Sequence, residues 1–359
     1  MKYLIIRNDG IGDLIVSTPV IETIRINDKK SKIYLISSYR NHEYAKILLN
    51  DGLIDYLYVL SGNKVKSYLS LINELSDLHF EYVLILKAST SSLLFAKFIK
   101  SKSIFSIVSI NQYQNKVKRY SPPSILNKFL LNGHEYIDCR NNYENSTNVH
   151  MSSHYINLII NLYEDIEVDH NRDYYSSPYL KLEGEKYHDN LNNHYKINTN
   201  RVIMFHFDEK WDDYNDQPKK LIQFINKLQI KTNATIFISN GIAKNKFESY
   251  LFKNFEFKKK EESKNIFQSD KNKKIFFFDK LKIDKLFYLA KLSDLIITPH
   301  GALTHIASIY KVNIIDLISL KKKFFFNKWK SANNNNVQFD ISDLENVLRK
   351  TVEYLKIKF

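Results

Sequence analysis

A single cysteine among 359 residues, Cys139, leaves no partner for an internal disulfide and fits a reducing compartment. No apolar run approaches the ~18 residues of a membrane span. The N-terminus does not have the form of a secretory signal either. Leu4, Ile5 and Ile6 make too short a core, and Arg7-Asn8-Asp9 interrupts it. A cytoplasmic protein is the expectation. Internal repeats and coiled-coil runs are absent, and with no recognised nucleic-acid-binding module, nucleic acid is not an expected partner. Metal-ligand spacing is also missing. His300 and His305 stand five apart with no neighbouring Cys or acid, and His150 and His154, at i and i+4, lack a third ligand nearby. Neither a metal nor another cofactor is expected.

What is present points to a two-domain α/β protein. The length exceeds one ordinary core, and 44% hydrophobic with 14% aromatic residues can fill two. Apolar strands (KYLIIRN, KIYLISS, DYLYVL, EYVLILKAS, SIFSIVSI) alternate with helical patterns at 65–78 and in SSLLFAKFIKS. A helix is also expected to start at Ser17-Thr18-Pro19, with a hydroxyl cap and a first-turn proline. Nearly continuous apolar strands separated by helices argue for a parallel sheet covered on both faces.

Residues 111–150 read as a long tyrosine-rich loop, SSHYINLIINLYEDI as a closing helix, and residues 168–183 as a linker. A second alternation runs from RVIMFHF to NIIDLI, NNNN at 333–336 reads as a loop, and a capping box from Ser342 to Glu345 opens the last helix. The expectation is a GT-B architecture, two Rossmann-like domains facing a central cleft. Residues 1–172 are expected to form the first domain and 173–339 the second. Helix 340–359 packs back on the first. Ligands in such folds sit at the carboxyl ends of the strands.

The stretch RNDGIGDLIVSTP follows the first strand. Gly10-Ile11-Gly12 reads as a tight βα turn tolerant of positive φ. It lacks the third glycine of G-x-G-x-x-G and the GK[ST] of a P-loop, which disfavours a dehydrogenase or P-loop enzyme. Asp13 has two readings: a carboxylate at a helix N-terminus, or a general base facing the cleft. Asp9 reads as a turn or surface residue.

IRNDGIGDLIVSTPVI resembles the N-terminal signature of family 9 glycosyltransferases, the lipopolysaccharide heptosyltransferase family, with Arg7, Gly12, Asp13, Thr18 and Pro19 on the pattern. Three looser likenesses follow in order. EYVLILKASTSSLLFAKFIKS, containing Lys87, is similar to the family's acceptor-facing segment. Glu209-Lys210-Trp211 is similar to its lysine-tryptophan element, and SDLIITPHGALTHIASIYKVNIIDL to its donor-binding motif. The resemblance implies sugar transfer with inversion, without a metal. Asp13 would be the base, and the transferred sugar a heptose carried by ADP. The acceptor would be a lipopolysaccharide core or another surface glycan.

It further implies donor contacts from Lys210, His206, His300, Gly301, Thr304 and His305, and acceptor contacts from Asp9, Lys87 and His150. For Lys210 a surface salt bridge is the alternative, for His206 and His305 a place in the core, and for His150 a helix-surface pair with His154. One departure affects the donor: His300 stands where the family carries a sugar-contacting Asp. A different nucleotide sugar, or a non-catalytic glycan-assembly subunit, are the other readings.

The charge of +14, from 53 Lys plus Arg against 39 Asp plus Glu, suits an anionic partner. KKKFFFNKWK (321–330) interleaves lysines with aromatics. With Lys97, Lys100, Lys102 and the run 116–119 it could dock the inner face of the cytoplasmic membrane.

Overall fold

The computed structural model describes residues 1–61, 64–113, 116–121, 129–139, 149–163, 175, 177–194, 197, 200–208, 211, 218–241, 246–260, 263–320, 323–330 and 336–358. The chain divides into two compact units, Met1–Tyr179 with Asn327–Trp329, and Leu180–Phe326 with Lys330–Phe359.

The first unit contains β1 (Lys2–Arg7), α1 (Ile11–Asn27), β2 (Lys32–Ser38), α2 (His42–Asn50), β3 (Tyr56–Leu60), α3 (Lys64–Leu75), β4 (Phe80–Ile85), α4 (Thr90–Lys97), β5 (Ser101–Tyr113), β6 (Lys116–Ser121), β7 (Glu135–Asp138) and α5 (Met151–Asn157). Strands run in the order β3-β2-β1-β4-β5, all parallel, with β7 added parallel and β6 antiparallel to β5. Tyr3 to Arg7 are all buried, which is why β1 is an unbroken apolar run instead of an alternating one. Connections reverse direction between β1 and β4, the switch point at which parallel sheets leave a crevice.

The second unit repeats the plan. It contains α6 (Pro178–Asp189), β8 (Val202–Phe207), α7 (Pro218–Thr232), β9 (Thr235–Asn240), α8 (Lys246–Phe255), β10 (Phe257–Lys259), β11 (Ile266–Ser269), β12 (Ile275–Phe278), α9 (Ile283–Leu292), β13 (Leu295–Pro299), α10 (Ala302–Ile309), β14 (Asn313–Ile318), α11 (Lys323–Phe326), β15 (Asn336–Asp340) and α12 (Leu344–Lys358). Its parallel strands lie in the order β12-β9-β8-β13-β14-β15, a Rossmann order, with an antiparallel extension through β11 to β10. The switch point falls between β8 and β13.

Several expectations are corrected. Helix α1 begins at Ile11, six residues before the expected Ser17-Thr18-Pro19 start, so Pro19 lies inside it. The Asp13 carboxylate caps the backbone N–H of Gly10 at 3.2 Å and opens the helix early. Ser17 and Thr18 instead turn their hydroxyls back onto the Asp13 and Leu14 carbonyls, at 2.7 and 3.0 Å.

The expected loop at 111–150 carries the end of β5, the lysine-bearing edge strand β6, and β7. Residues 164–174 of the expected closing helix and linker lie outside the described residues, and Pro178 opens α6 inside that linker. Asn336 of the NNNN run starts β15, which pairs with β14; 333–335 lie outside the described residues. Asp343, not Ser342, caps α12, accepting from the N–H of Asn346 at 3.1 Å.

The final helix was expected on the first domain. It packs on α7 within the second unit instead, because its apolar stripe supplies Val347 and Leu355 to that unit's core. Strands β10 and β11 escaped the sequence reading. They are held by rings: Phe252 stands 5.0–5.3 Å from Phe257, Phe267 and Phe277, centroid to centroid.

Candidate functional site

In the first unit, the site grows from the carboxyl end of β1. Arg7 is fully buried. Its Nη1 donates to the Leu86 carbonyl just past β4 at 2.7 Å and its Nε to the Asp13 carbonyl at 3.2 Å. Its guanidinium lies 3.1 Å from Asp9 Oδ1, 3.3 Å from Asp13 Oδ1, and 5.1 Å from the centre of the Tyr155 ring. Burial disfavours the Arg7 charge, but Asp9, Tyr155 and Asp13 more than offset it, so its pKa is raised and it stays cationic. Lys87, after β4, places Nζ 3.4 Å from Asp9 Oδ2. The loop is pinned elsewhere: Asn41 donates to the Arg7 carbonyl at 2.9 Å, Ser38 to the Asp9 carbonyl at 2.8 Å, and Asn8 to the Tyr68 hydroxyl at 2.7 Å.

The two carboxylates differ in setting. The Asp9 side chain is 12% exposed and that of Asp13 is 36% exposed. Burial, with Asp13 adding to it, pushes the Asp9 carboxyl above its usual range, against the pull of Arg7 and Lys87. Asp13 is gripped on one side, by Gly10 N–H on Oδ2 and Arg7 on Oδ1, with the rest of the carboxylate open to water. Asp13 thus serves as a helix cap, and part of its carboxylate remains exposed.

Gly10 acts by close approach. Gly10 has φ −85° and only Gly52 and Gly133 have positive φ among the described glycines, so the expected positive-φ turn is not formed. A Cβ on Gly10 would instead stand 2.9 Å from Asp13 Oδ2. Gly12 is buried in the first turn of α1. His150 caps α5, its Nδ1 accepting from Ser152 N–H at 3.2 Å.

In the second unit, residues flank the switch point between β8 and β13. His206, near the end of β8, is buried with Nδ1 2.9 Å from Ser239 Oγ, and Trp211 donates to its carbonyl at 2.7 Å while stacking on Phe207. Lys210, the first donor-binding candidate, and Glu209 lie outside the described residues. After β13, the Thr304 hydroxyl caps α10 by accepting from Gly301 N–H at 3.2 Å, so this N–H serves the helix itself. His305 is buried and meets His300 edge to face at 5.5 Å.

Two acids were missed by the sequence reading because only strand order brings them to the site. Asp316 on β14 is fully buried. Its Oδ2 lies 2.8 Å from His300 Nδ1 and accepts from Gln338 of β15 at 3.1 Å, while its Oδ1 has no hydrogen-bond partner among the described residues. Its signal was the lone charge in the apolar strand NIIDLI. Asp279, past β12, accepts from the Asn240 amide at 2.9 Å, and Glu248 accepts from the same amide at 3.3 Å. His300 thus carries a carboxylate behind it, although none replaces it at its own position.

No protein-family model matches the chain, and no curated protein matches it in sequence. Its fold has counterparts among solved structures. A glycosyltransferase family 9 protein from Veillonella parvula aligns with TM-score 0.69 at 12% identity, over 100% of this chain and 98% of that one. E. coli heptosyltransferase WaaC with ADP aligns with TM-score 0.65 at 11% identity, over 99% and 100%. A UDP-GlcNAc 2-epimerase from Methanocaldococcus jannaschii aligns with TM-score 0.56 at 15% identity, over 98% and 92%. The last carries a different chemistry, so the scaffold alone does not select a reaction. Along its whole length, the chain has the GT-B fold found in family 9 glycosyltransferases, two Rossmann-like units in succession.

Proposed function

We propose that this protein is an inverting glycosyltransferase of the family 9 type, acting in the cytoplasm on a lipopolysaccharide core or another surface glycan. The observation that carries the reading is the Asp13 carboxylate, anchored by Arg7 and Gly10 at the β1–α1 edge and open to water on its remaining side. In the transfer, an acceptor hydroxyl gives its proton to Asp13 as its oxygen bonds to the anomeric carbon. The bond from that carbon to the donor phosphate breaks, and the nucleoside diphosphate leaves with the electron pair. A carboxylate suffices because proton removal becomes favourable only as attack proceeds. Asp9 and Lys87 supply acceptor contacts beside it. Lys210, His206, Gly301, Thr304 and His305 form the donor side, with no metal in the reaction.

The donor sugar is heptose from ADP-heptose in the first reading. A second reading keeps the chemistry and changes the sugar. The His300–Asp316 pair favours it, because an imidazole backed by a carboxylate offers a sugar hydroxyl a different set of donors and acceptors than a carboxylate does.

Two measurements test these proposals. Asp13→Asn should lower transfer about 10²–10⁴-fold, with nucleotide affinity kept; full turnover in that variant would overturn the assignment. Thermal shifts with ADP-, UDP-, GDP- and CMP-linked sugars should single out one nucleotide. Stabilisation by ADP-heptose alone would remove the second reading.

A further inference from the structure

Residues 82–134 contain seven Lys, one Arg and no Asp or Glu, so more than half of the net +14 sits in one acid-free stretch of the first unit. Helix α4 lies within it and is apolar on both faces. Leu93, Phe95, Ala96 and then Ile99 enter the core with Leu130 and Leu131. Leu94 and Phe98, one turn apart, are 48% and 60% exposed, and Phe129 is 70% exposed. Lys97 joins these elements: its ammonium donates to the Asn132 carbonyl, in the turn that follows Phe129. Lys100 and Lys102, also exposed, continue from the same helix end into β5.

An isolated exposed apolar side chain needs no explanation, but three large ones on two segments joined by the Lys97 bond, in a stretch with no acid, do. By contrast, within the lysine-aromatic run at 321–330, Phe326 packs 4.7 Å from His300 and Lys328 is buried, while Lys323 is exposed.

We propose that this α4 face of the first unit docks on an anionic phospholipid surface. Leu94, Phe98 and Phe129 enter the headgroup boundary, and Lys97, Lys100 and Lys102 pair with lipid phosphates. Neither signal holds a protein at a membrane firmly alone; apolar insertion and basic attraction together do. A nucleic-acid surface would share the charge but would not need exposed aliphatic Leu94 among the lysines.

The test is sedimentation of the full chain with vesicles of phosphatidylglycerol and phosphatidylcholine, against vesicles of phosphatidylcholine alone. The wild type should bind the anionic vesicles, and Leu94→Ser/Phe98→Ser/Phe129→Ser should weaken binding by at least about tenfold with an unchanged circular-dichroism spectrum. Should the triple variant misfold, Lys100→Glu/Lys102→Glu changes two exposed residues and should lose the same binding. Wild-type binding by either folded variant, equal binding to neutral vesicles, or binding of random single-stranded DNA in place of lipid would each overturn the proposal. Asp13→Asn should bind vesicles as the wild type does, so docking and transfer succeed or fail separately.

Discussion

At the residue scale, the tightest constraint is the space between Gly10 and Asp13. A methyl on residue 10 would meet the Asp13 carboxylate at 2.9 Å, and the backbone there is otherwise ordinary for any residue. Gly10→Ala should therefore displace the carboxylate more than it destabilises the fold. We expect transfer to fall at least about tenfold, with a stability loss of about 1 kcal/mol or less. A variant with normal kcat would mean that the orientation of Asp13 does not matter. Arg7 has a second duty beside the site, since it ties β1 to the chain beyond β4 through Leu86.

Between the elements, the second unit depends on its last helix. Leu355 and Val347 of α12 are buried in the same core as Phe224, Ile225 and Leu228 of α7. Leu355→Ala should cost about 2–4 kcal/mol, read as a lower melting temperature in near-ultraviolet circular dichroism. An unchanged melting temperature would mean that α12 is an appendage. The stripe at Val347, Thr351 and Leu355 was legible in the sequence as a helix. Which sheet it would cover was not, because an amphipathic face specifies that it must be buried, not against what.

For the molecule as a whole, acid should weaken the first unit. His134 is buried with Nδ1 3.1 Å from Ser106 Oγ, and burial, assisted by Lys97, lowers its pKa to about 4. Unfolded, it titrates near about 6.5, so the unfolded chain binds the extra proton between those values. Its contribution is complete above the unfolded value and is lost as pH falls towards 4, at up to about 1.4 kcal/mol per pH unit. His154, also lowered by burial and by Lys328, acts in the same sense. Melting temperatures from pH 7 to pH 4.5 should fall, and His134→Gln should flatten the slope; a slope unchanged in that variant would assign the effect elsewhere.

Much of this architecture was readable beforehand. KIYLISS, TIFISN and NIIDLI are strands over their full expected lengths, because both faces of a central parallel strand are apolar and the run needs no knowledge of its neighbours. The start of α1 was misread because Thr18-Pro19 is a local signal, and the Asp13 cap overrode it. By itself, the sequence determined the two α/β halves and the βα connection that leads into Asp13. Only the tertiary structure decided that Lys87 would meet Asp9, that Asp316 would stand behind His300, and that Leu94 and Phe98 would stay outside the core. Those pairings follow from which strands lie side by side, and strand order is set by packing across the whole sheet, not by any local pattern.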